Sequence, residues 1–408
     1  MKGMVGGVKG TSIVAGMLVA AMALGGCSQG GNTSTAQKSD AVSTESEGTP
    51  NQVQATFDIS RNDEYGHVDI HVDGEQFHEL GFDYGDSLDL IFTNGYEVRD
   101  IPYYTGFYSK IGEPLVLDYP GIEWLWASIN LGDAFWDVAG LSEGDTVTVA
   151  LNEKGKYEDV QNARNIEYTD NREDYASDAI FANYREVDAD GIAPGTLYRS
   201  ASPCDMRHNR ASYVDKLAKE SGIACAIDLA DDLKSAEGHM ADENFASDYF
   251  KELFDGGRVV LANMKPNYRA PEFHTMLVDA LRQSMDLPTP WLVYCTEGKD
   301  RTGVVCMVLE ALAGASYDQV EADYMASYAN YYGITKEIDA ERYDVIVREL
   351  FHPMISAMYG EEEVDVRSVD LEEGARQFLA EGGMTEEEIG ELKGILTGTS
   401  TADETVTE

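Results

Sequence analysis

The chain has 408 residues, 43% of them hydrophobic, enough for two modest cores. With 74 acidic against 30 basic residues it carries a formal charge of −44, a field that repels nucleic acid and anionic membrane surface over long range. An acidic substrate must therefore be drawn by local fields. The same charge weighs against highly phosphorylated inositols and against a simple electrostatic membrane dock.

In chain order, Lys2 and Lys9 precede an apolar core over residues 12–24, too short for a spanning helix of about 20 residues. Residues 1–26 read as a signal peptide. Leu24-Gly-Gly-Cys27 resembles a bacterial lipobox, which implies lipidation at Cys27 and an extracytoplasmic protein anchored to the bacterial cell membrane. Residues 27–52, rich in Ser, Thr, Gly, Gln and Asn without an apolar period, read as a flexible tether.

Residues 53–165 alternate and turn often. His67-Val-Asp-Ile-His-Val-Asp-Gly74 has period two, with His67 and His71 on one strand face, and residues 88–93 and 96–101 flank an Asn94-Gly95 hairpin signal. Leu80-Gly-Phe-Asp-Tyr-Gly-Asp-Ser-Leu-Asp-Leu90 is echoed by Ala139-Gly-Leu-Ser-Glu-Gly-Asp-Thr-Val-Thr-Val149, each a Gly-Asp turn feeding a strand. The pattern predicts a small all-β domain, a pseudo-symmetric barrel or sandwich. Trp124, Trp126 and Trp136 fall here beside Tyr103, Tyr104, Phe107 and Tyr108; the cluster reads as core packing, with a carbohydrate or peptide platform as the alternative.

Residues 166–395 change texture. Short apolar runs at 224–229, 258–262 and 291–294 alternate with helical stretches such as 211–220, closed by Gly222, and 271–285. That order predicts an α/β domain, a mostly parallel sheet flanked by helices, with Cys295 at a strand's C-terminal end. Tyr324, Tyr328, Tyr331 and Tyr332 recur near helical spacing and read as packing. Residues 396–408 are acidic with little apolar content and read as disordered.

The chemistry concentrates in Tyr294-Cys-Thr-Glu-Gly-Lys-Asp-Arg-Thr-Gly303, which follows a buried strand and opens an apolar helix. A loop of this length wraps its N–H groups around a tetrahedral dianion, which the helix N-terminus also attracts. The same field favours a thiolate over an ordinary thiol of pKa about 8.5, making Cys295 the candidate nucleophile. Arg301 returns over the loop as a bidentate fork for phosphoryl oxygens, a geometry lysine lacks. Thr302 offers a hydroxyl to the sulfur, while Gly298 and Gly303 permit close backbone approach. A second Cys-x5-Arg copy, Cys204-Asp-Met-Arg-His-Asn-Arg210, lacks the strand, the glycines and the helix, and Asp205 opposes both thiolate and phosphate. Cys204 therefore reads as structural, as do Cys225 and Cys306, with no disulfide framework among the five cysteines. Neither a metal cluster nor a cofactor motif is read, since the seven histidines are scattered.

Cys295-Thr-Glu-Gly-Lys-Asp-Arg-Thr-Gly303 resembles the signature of the protein tyrosine phosphatase superfamily, and its Gly-Lys-Asp-Arg core is similar to the bacterial branch of tyrosine and lipid phosphatases. Phe181-Ala-Asn-Tyr-Arg-Glu186, Gly195-Thr-Leu-Tyr-Arg-Ser200 and the closing segments at 375–380 and 383–389 resemble the same branch. The resemblance implies Cys295 as nucleophile and Arg301 as phosphate ligand, with Thr296, Glu297, Gly298, Lys299, Asp300 and Gly303 lining the substrate's phosphate. It assigns the general acid to Asp228, although the arginine that follows in the branch is replaced by Ala230; Asp231, Asp232 and Asp300 remain alternatives. Tyr294 stands where most of the superfamily has histidine, and Glu297 must point away from an incoming phosphate, toward the leaving group or solvent.

The expected function is hydrolysis of phosphomonoesters, phosphotyrosine first and phosphoserine, phosphothreonine or a phosphoinositide next. A binding lipoprotein acting through the β domain and a sulfur-transfer enzyme are the alternatives.

Overall fold

The computed structural model describes residues 53–399, so the signal peptide, Cys27, the tether and residues 400–408 of the tail lie outside the described residues. The first region runs through strands β1 (Gln54–Arg61) and β2 (Val68–Ile70), helix α1 (Gly74–Glu79), strands β3 (Ser87–Phe92), β4 (Glu97–Tyr104), β5 (Pro114–Leu117) and β6 (Leu125–Ile129), helix α2 (Phe135–Val138), strand β7 (Thr146–Glu153) and helix α3 (Glu158–Arg164). Its strands close into a barrel in the order β1-β2-β6-β5-β4-β3-β7, every pair antiparallel except β4 with β5.

The expectation of an all-β region is corrected by three short helices, of 6, 4 and 7 residues. Two of them immediately precede the echoed segments 80–90 and 139–149. Helix α1 leads through Gly85-Asp86 into β3, and α2 leads through Gly144-Asp145 into β7. Both glycines take positive φ, +88° and +93°, and each aspartate carboxylate accepts from the N–H three residues back, Asp83 at 2.7 Å and Ser142 at 2.8 Å. Helices of one turn show too few apolar positions to reveal a 3.6-residue period, so the pattern advertises only the strands.

Inside the barrel Phe77, Phe82, Leu88, Leu90, Tyr103 and Val149 form one core, which Trp136 joins. Trp124 and Trp126 instead sit half-buried against His71 and His67, ring centroids 4.2 and 5.0 Å apart. Helix α3 ties the barrel to the second region: Val160 and Ala163 pack with Tyr104, Leu115 and Leu117 and with Val345, and Asp159 pairs with Arg348 at 2.7 Å.

That second region runs α4 (Asp178–Phe181), β8 (Arg185–Glu186), β9 (Leu197–Ser200), α5 (Ala211–Glu220), β10 (Cys225–Asp228), α6 (Leu233–Met240), α7 (Asp248–Asp255), β11 (Val259–Leu261), α8 (Pro271–Met285), β12 (Trp291–Tyr294) and α9 (Asp300–Ala313). It closes with α10 (Tyr317–Tyr332), α11 (Ala340–Ile346), a π-helical turn Val347–Phe351, α12 (His352–Met358), α13 (Leu371–Glu381) and α14 (Glu386–Leu396). The sheet order is β11-β10-β12-β9-β8, parallel except for β8. Alternation along β12 divides two cores: Trp291, Val293 and the following Cys295 face the core shared with α8, α9, α13 and α14, whereas Leu292 and Tyr294 face α5 and α7. Helix α9 is apolar almost all round and buried from Thr302 to Ala313, as a central helix must be. Among the described residues no helix is long and apolar enough to cross a membrane.

Candidate active site

The segment between β12 and α9 is held by its carbonyls. The backbone N–H of Ser202 donates to the Thr296 carbonyl at 3.1 Å. Asn183 Nδ2 donates to the Glu297 and Gly298 carbonyls, both at 3.2 Å, Tyr331 Oη donates to Glu297 at 2.7 Å, and Arg199 Nη2 donates to Gly298 at 2.9 Å. A trans peptide is planar, so each carbonyl directed at this scaffold turns the next residue's N–H the opposite way. The N–H groups of Glu297, Gly298 and Lys299 therefore face away from the brace, a concavity of donors suited to an oxyanion. Gly298 is required: its φ is +68°, and a Cβ there would lie 1.9 Å from the Ser200 carbonyl.

The brace has its own support. Arg185 donates to Asn183 Oδ1 at 2.8 Å and to Asp323 Oδ1 at 2.7 Å, and fully buried Arg199 pairs with the other oxygen of Asp323. Burial alone pushes the Asp323 carboxyl up, but the two guanidiniums hold it well below the ordinary range. Asn183, Arg185 and Arg199 are polar residues of the motif segments 181–186 and 195–200, whose task the sequence did not reveal.

Cys295 directly follows the strand and is 3% exposed, on the core side. Arg301 reaches back from the first turn of α9, donating to the Met264 carbonyl at 3.0 Å and the Thr296 hydroxyl at 3.4 Å, which leaves the other donors of the fork for a ligand. Thr302 is fully buried and its hydroxyl meets no partner, a state that costs about 1–3 kcal/mol unless something accepts the bond. Gly303 lets α9 approach the Tyr324 ring, 3.0 Å from where a Cβ would stand.

Glu297 and Lys299 depart from expectation. Glu297 does not point to solvent. It is buried, with Oε1 accepting from Tyr168 Oη at 2.8 Å and Oε2 lying 3.0 Å from Lys299 Nζ. Burial works against its charge, but Lys299 and Tyr168 keep its carboxyl below the usual value. The Lys299 ammonium also donates to Tyr332 Oη at 3.0 Å, so its charge is spent inside the loop. Tyr331 and Tyr332, read as packing, thus hold the loop as well, and with Tyr168 they line a cavity of about 580 Å³ whose wall includes neither Cys295 nor Arg301. Asp300 opens α9 with a carboxylate oxygen 4.0 Å from Lys299 Nζ.

Asp228 ends β10 beside Tyr294 and is fully buried. Its Oδ1 accepts from the N–H groups of Ala230 and Asp231 at 2.8 and 3.1 Å, and its Oδ2 accepts from Tyr294 Oη at 2.9 Å. Burial and then the charge of Asp231 push its carboxyl up to about 7. Tyr294, in the place of the usual histidine, therefore braces Asp228 on the face opposite Cys295. Asp232 caps α6 by accepting from Ser235 N at 2.7 Å.

The second Cys-x5-Arg stretch has a different fate. Cys204 is buried, and burial followed by Asp228 pushes its thiol well up. Arg210 is boxed by the rings of Tyr168, Tyr175, Phe181 and Tyr331 and paired with Asp170. Cys204, Asp228 and Asp231 bring donor atoms within 4.8 Å of one another, but the Asp228 oxygens are already taken, which makes a poor metal set. Among the described residues Cys204, Cys225, Cys295 and Cys306 are free thiols.

No curated protein matches the chain. Among solved structures it is similar to an uncharacterized conserved protein from Thermotoga maritima, at 23% identity and a TM-score of 0.22, over 27% of this chain and 42% of that one. The match thus spans less than half of that protein's length. A family model described as the tyrosine phosphatase family matches residues 156–398, which takes in β8 to α14 with the Cys295 loop, the carbonyl brace and Asp228. The chain belongs to the tyrosine phosphatase family.

Proposed function

We propose that this phosphatase hydrolyses phosphomonoesters, phosphotyrosine foremost, through a cysteinyl-phosphate on Cys295. The observation that carries the reading is the carbonyl brace: three consecutive carbonyls held outward by Ser202, Asn183, Tyr331 and Arg199 leave the N–H groups beside Cys295 turned toward an incoming phosphate. The Cys295 sulfur attacks phosphorus, the ester oxygen leaves with a proton, and water then releases orthophosphate from sulfur. Arg301 and the loop N–H groups hold the equatorial oxygens, best in the transition state. Thr302, with its buried unbonded hydroxyl, steadies the sulfur as it leaves phosphorus. The Lys299 ammonium, committed to Glu297 and Tyr332, orders the loop. Because loop 262–270 beside Arg301 contains no carboxylate, the proton comes from the turn after β10 or from Asp300.

The sequence over residues 12–27 supports placing this chemistry on a lipoprotein anchored through Cys27 outside the cytoplasmic membrane. Hydrolysis of an aryl phosphate, inhibited by vanadate and lost in Cys295→Ser, tests the reaction. A chain that binds phosphate without turnover would instead be the binding lipoprotein, with the barrel as its recognition module.

A further inference from the structure

The strand ends around Cys295 converge on one carboxylate. On one side of the nucleophile, the Tyr294 carbonyl accepts from Leu229 N at 2.9 Å; on the other, the Thr296 carbonyl accepts from Ser202 N at 3.1 Å. The turn after β10 and the loop after β9 are therefore each fastened to a residue adjacent to Cys295. The turn is fastened a second time, through Leu229 O to Met264 N at 2.8 Å, and the Met264 carbonyl is the one that holds Arg301. Asp231 lies where the two segments meet: its Oδ2 is 3.8 Å from Cys204 Sγ, and Cys204 N donates to Ser202 Oγ at 3.2 Å. Its side chain keeps 14% of its surface exposed, against none for Asp228.

The geometry points to Asp231, and not Asp228, as the group that protonates the leaving oxygen, an assignment that rests on the cysteinyl-phosphate reading. Asp228 is closed to substrate, since Oδ1 takes two backbone N–H groups and Oδ2 takes the Tyr294 hydroxyl. Asp232 is committed to its helix cap. Asp231 is confined by weaker partners: the Cys204 thiol and His239 Nε2, 3.5 Å from its Oδ1. The charged and titratable groups around it are Asp228 on β10, Cys204, Asp205 and Arg207 on the loop after β9, and His239 on α6. Asp228 then acts as a positioning residue, binding the N–H of Asp231 itself and fixing the turn. In the first step the Cys295 sulfur–phosphorus bond forms, the phosphorus–oxygen ester bond breaks, and the Asp231 carboxyl proton goes to the departing alcohol or phenol. In the second, the Asp231 carboxylate takes a proton from the attacking water, the sulfur–phosphorus bond breaks, and orthophosphate leaves.

The test compares two aryl phosphates across pH, phenyl phosphate with a poor leaving group and 2,4-dinitrophenyl phosphate with a good one, using the full chain and its Asp231→Asn and Asp228→Asn variants. Asp231→Asn is expected to lose about 10²–10⁴-fold in kcat/KM on phenyl phosphate, to lose the basic limb of that profile, and to keep kcat/KM on the dinitrophenyl ester near wild type, because kcat/KM reports formation of the cysteinyl-phosphate and not its hydrolysis, for which Asp231 is the base with either ester. Asp228→Asn is expected to slow both esters alike and keep the basic limb. If Asp228→Asn shows the leaving-group-dependent loss, or Asp231→Asn is impaired equally on both esters or on neither, the assignment falls. A wild type inert toward both esters sinks the cysteinyl-phosphate reading and this assignment with it.

Discussion

The chain contains the same Cys-x5-Arg spacing twice, Cys204 to Arg210 and Cys295 to Arg301, and the two copies share almost nothing else. Around Cys295 three consecutive carbonyls are pinned outward, so the N–H groups are left for a ligand, and Arg301 keeps donors in reserve. Around Cys204 the polar groups are consumed locally: Asp205 grips Arg207, and Arg210 is stacked among four rings with Asp170 at its fork. Spacing alone does not make a phosphate cradle. We propose that what does is a second layer that takes the carbonyls away.

The sharpest way to break the comparison is to remove each sulfur. Cys295→Ser is expected to lose at least about a thousandfold in kcat, as nucleophile deletions do. The Cys204 thiol, pushed well up by burial, is expected to resist iodoacetate at neutral pH, read by peptide mass analysis. Rapid labelling of Cys204 would place the two copies on an equal footing. Next in size, Gly298→Ala forces a Cβ onto the Ser200 carbonyl in a left-handed backbone and misplaces the loop. A drop of about 100-fold in kcat/KM is expected for a shift of this scale, together with a lower urea midpoint, since the clash is with backbone and the left-handed conformation strains alanine. A fall in stability without a fall in rate would mean that the cradle is not the working part.

The Glu297–Lys299 pair gives a smaller effect, on stability. Glu297→Gln leaves a buried ammonium without its counter-charge and is expected to cost about 3–5 kcal/mol by urea unfolding. The double change Glu297→Leu with Lys299→Met is expected to recover much of that loss, since replacing both buried charges is often neutral. The Glu297 carboxyl is held below its ordinary value, so its contribution is present above about pH 4.3 and is lost as pH falls through the lower folded value.

Helices 211–220 and 271–285 have the same limits in the sequence reading as in α5 and α8, because each is bounded by strong punctuation, Gly222 after the first and Pro271 at the start of the second. The cradle residues were legible for the same local reason: strand, glycine, arginine and helix follow one another within ten positions. The layer behind them was not, because Asn183, Arg199, Asp323 and Tyr331 come from four separate stretches, and no periodicity links a residue to a carbonyl more than 30 positions away. Helices α1 and α2 were hidden by brevity. The acid was ambiguous for a third reason: Asp228, Asp231 and Asp232 are equivalent in composition, and only their hydrogen bonds tell the fully buried Asp228 and the helix-capping Asp232 from the half-buried, loosely partnered Asp231.

The smallest effect separates the brace from the acid by stability and not by rate. The Asp228 carboxyl rises from an ordinary value of about 3.9 in the unfolded chain to about 7 when folded, chiefly through burial and secondly through Asp231. Between those values the folded protein binds the extra proton, so this group's contribution is full below about pH 4 and is lost as pH rises toward 7. Asp228→Asn keeps an oxygen for the two N–H groups and an amide for the Tyr294 oxygen, but cannot ionise. Urea unfolding of the variant is therefore expected to lack the decline in stability that the wild type shows from about pH 4 to pH 7, and to match or exceed the wild type at pH 8. An unchanged decline in the variant would mean that Asp228 stays charged in the fold, and that Tyr294 and the two N–H groups outweigh its burial.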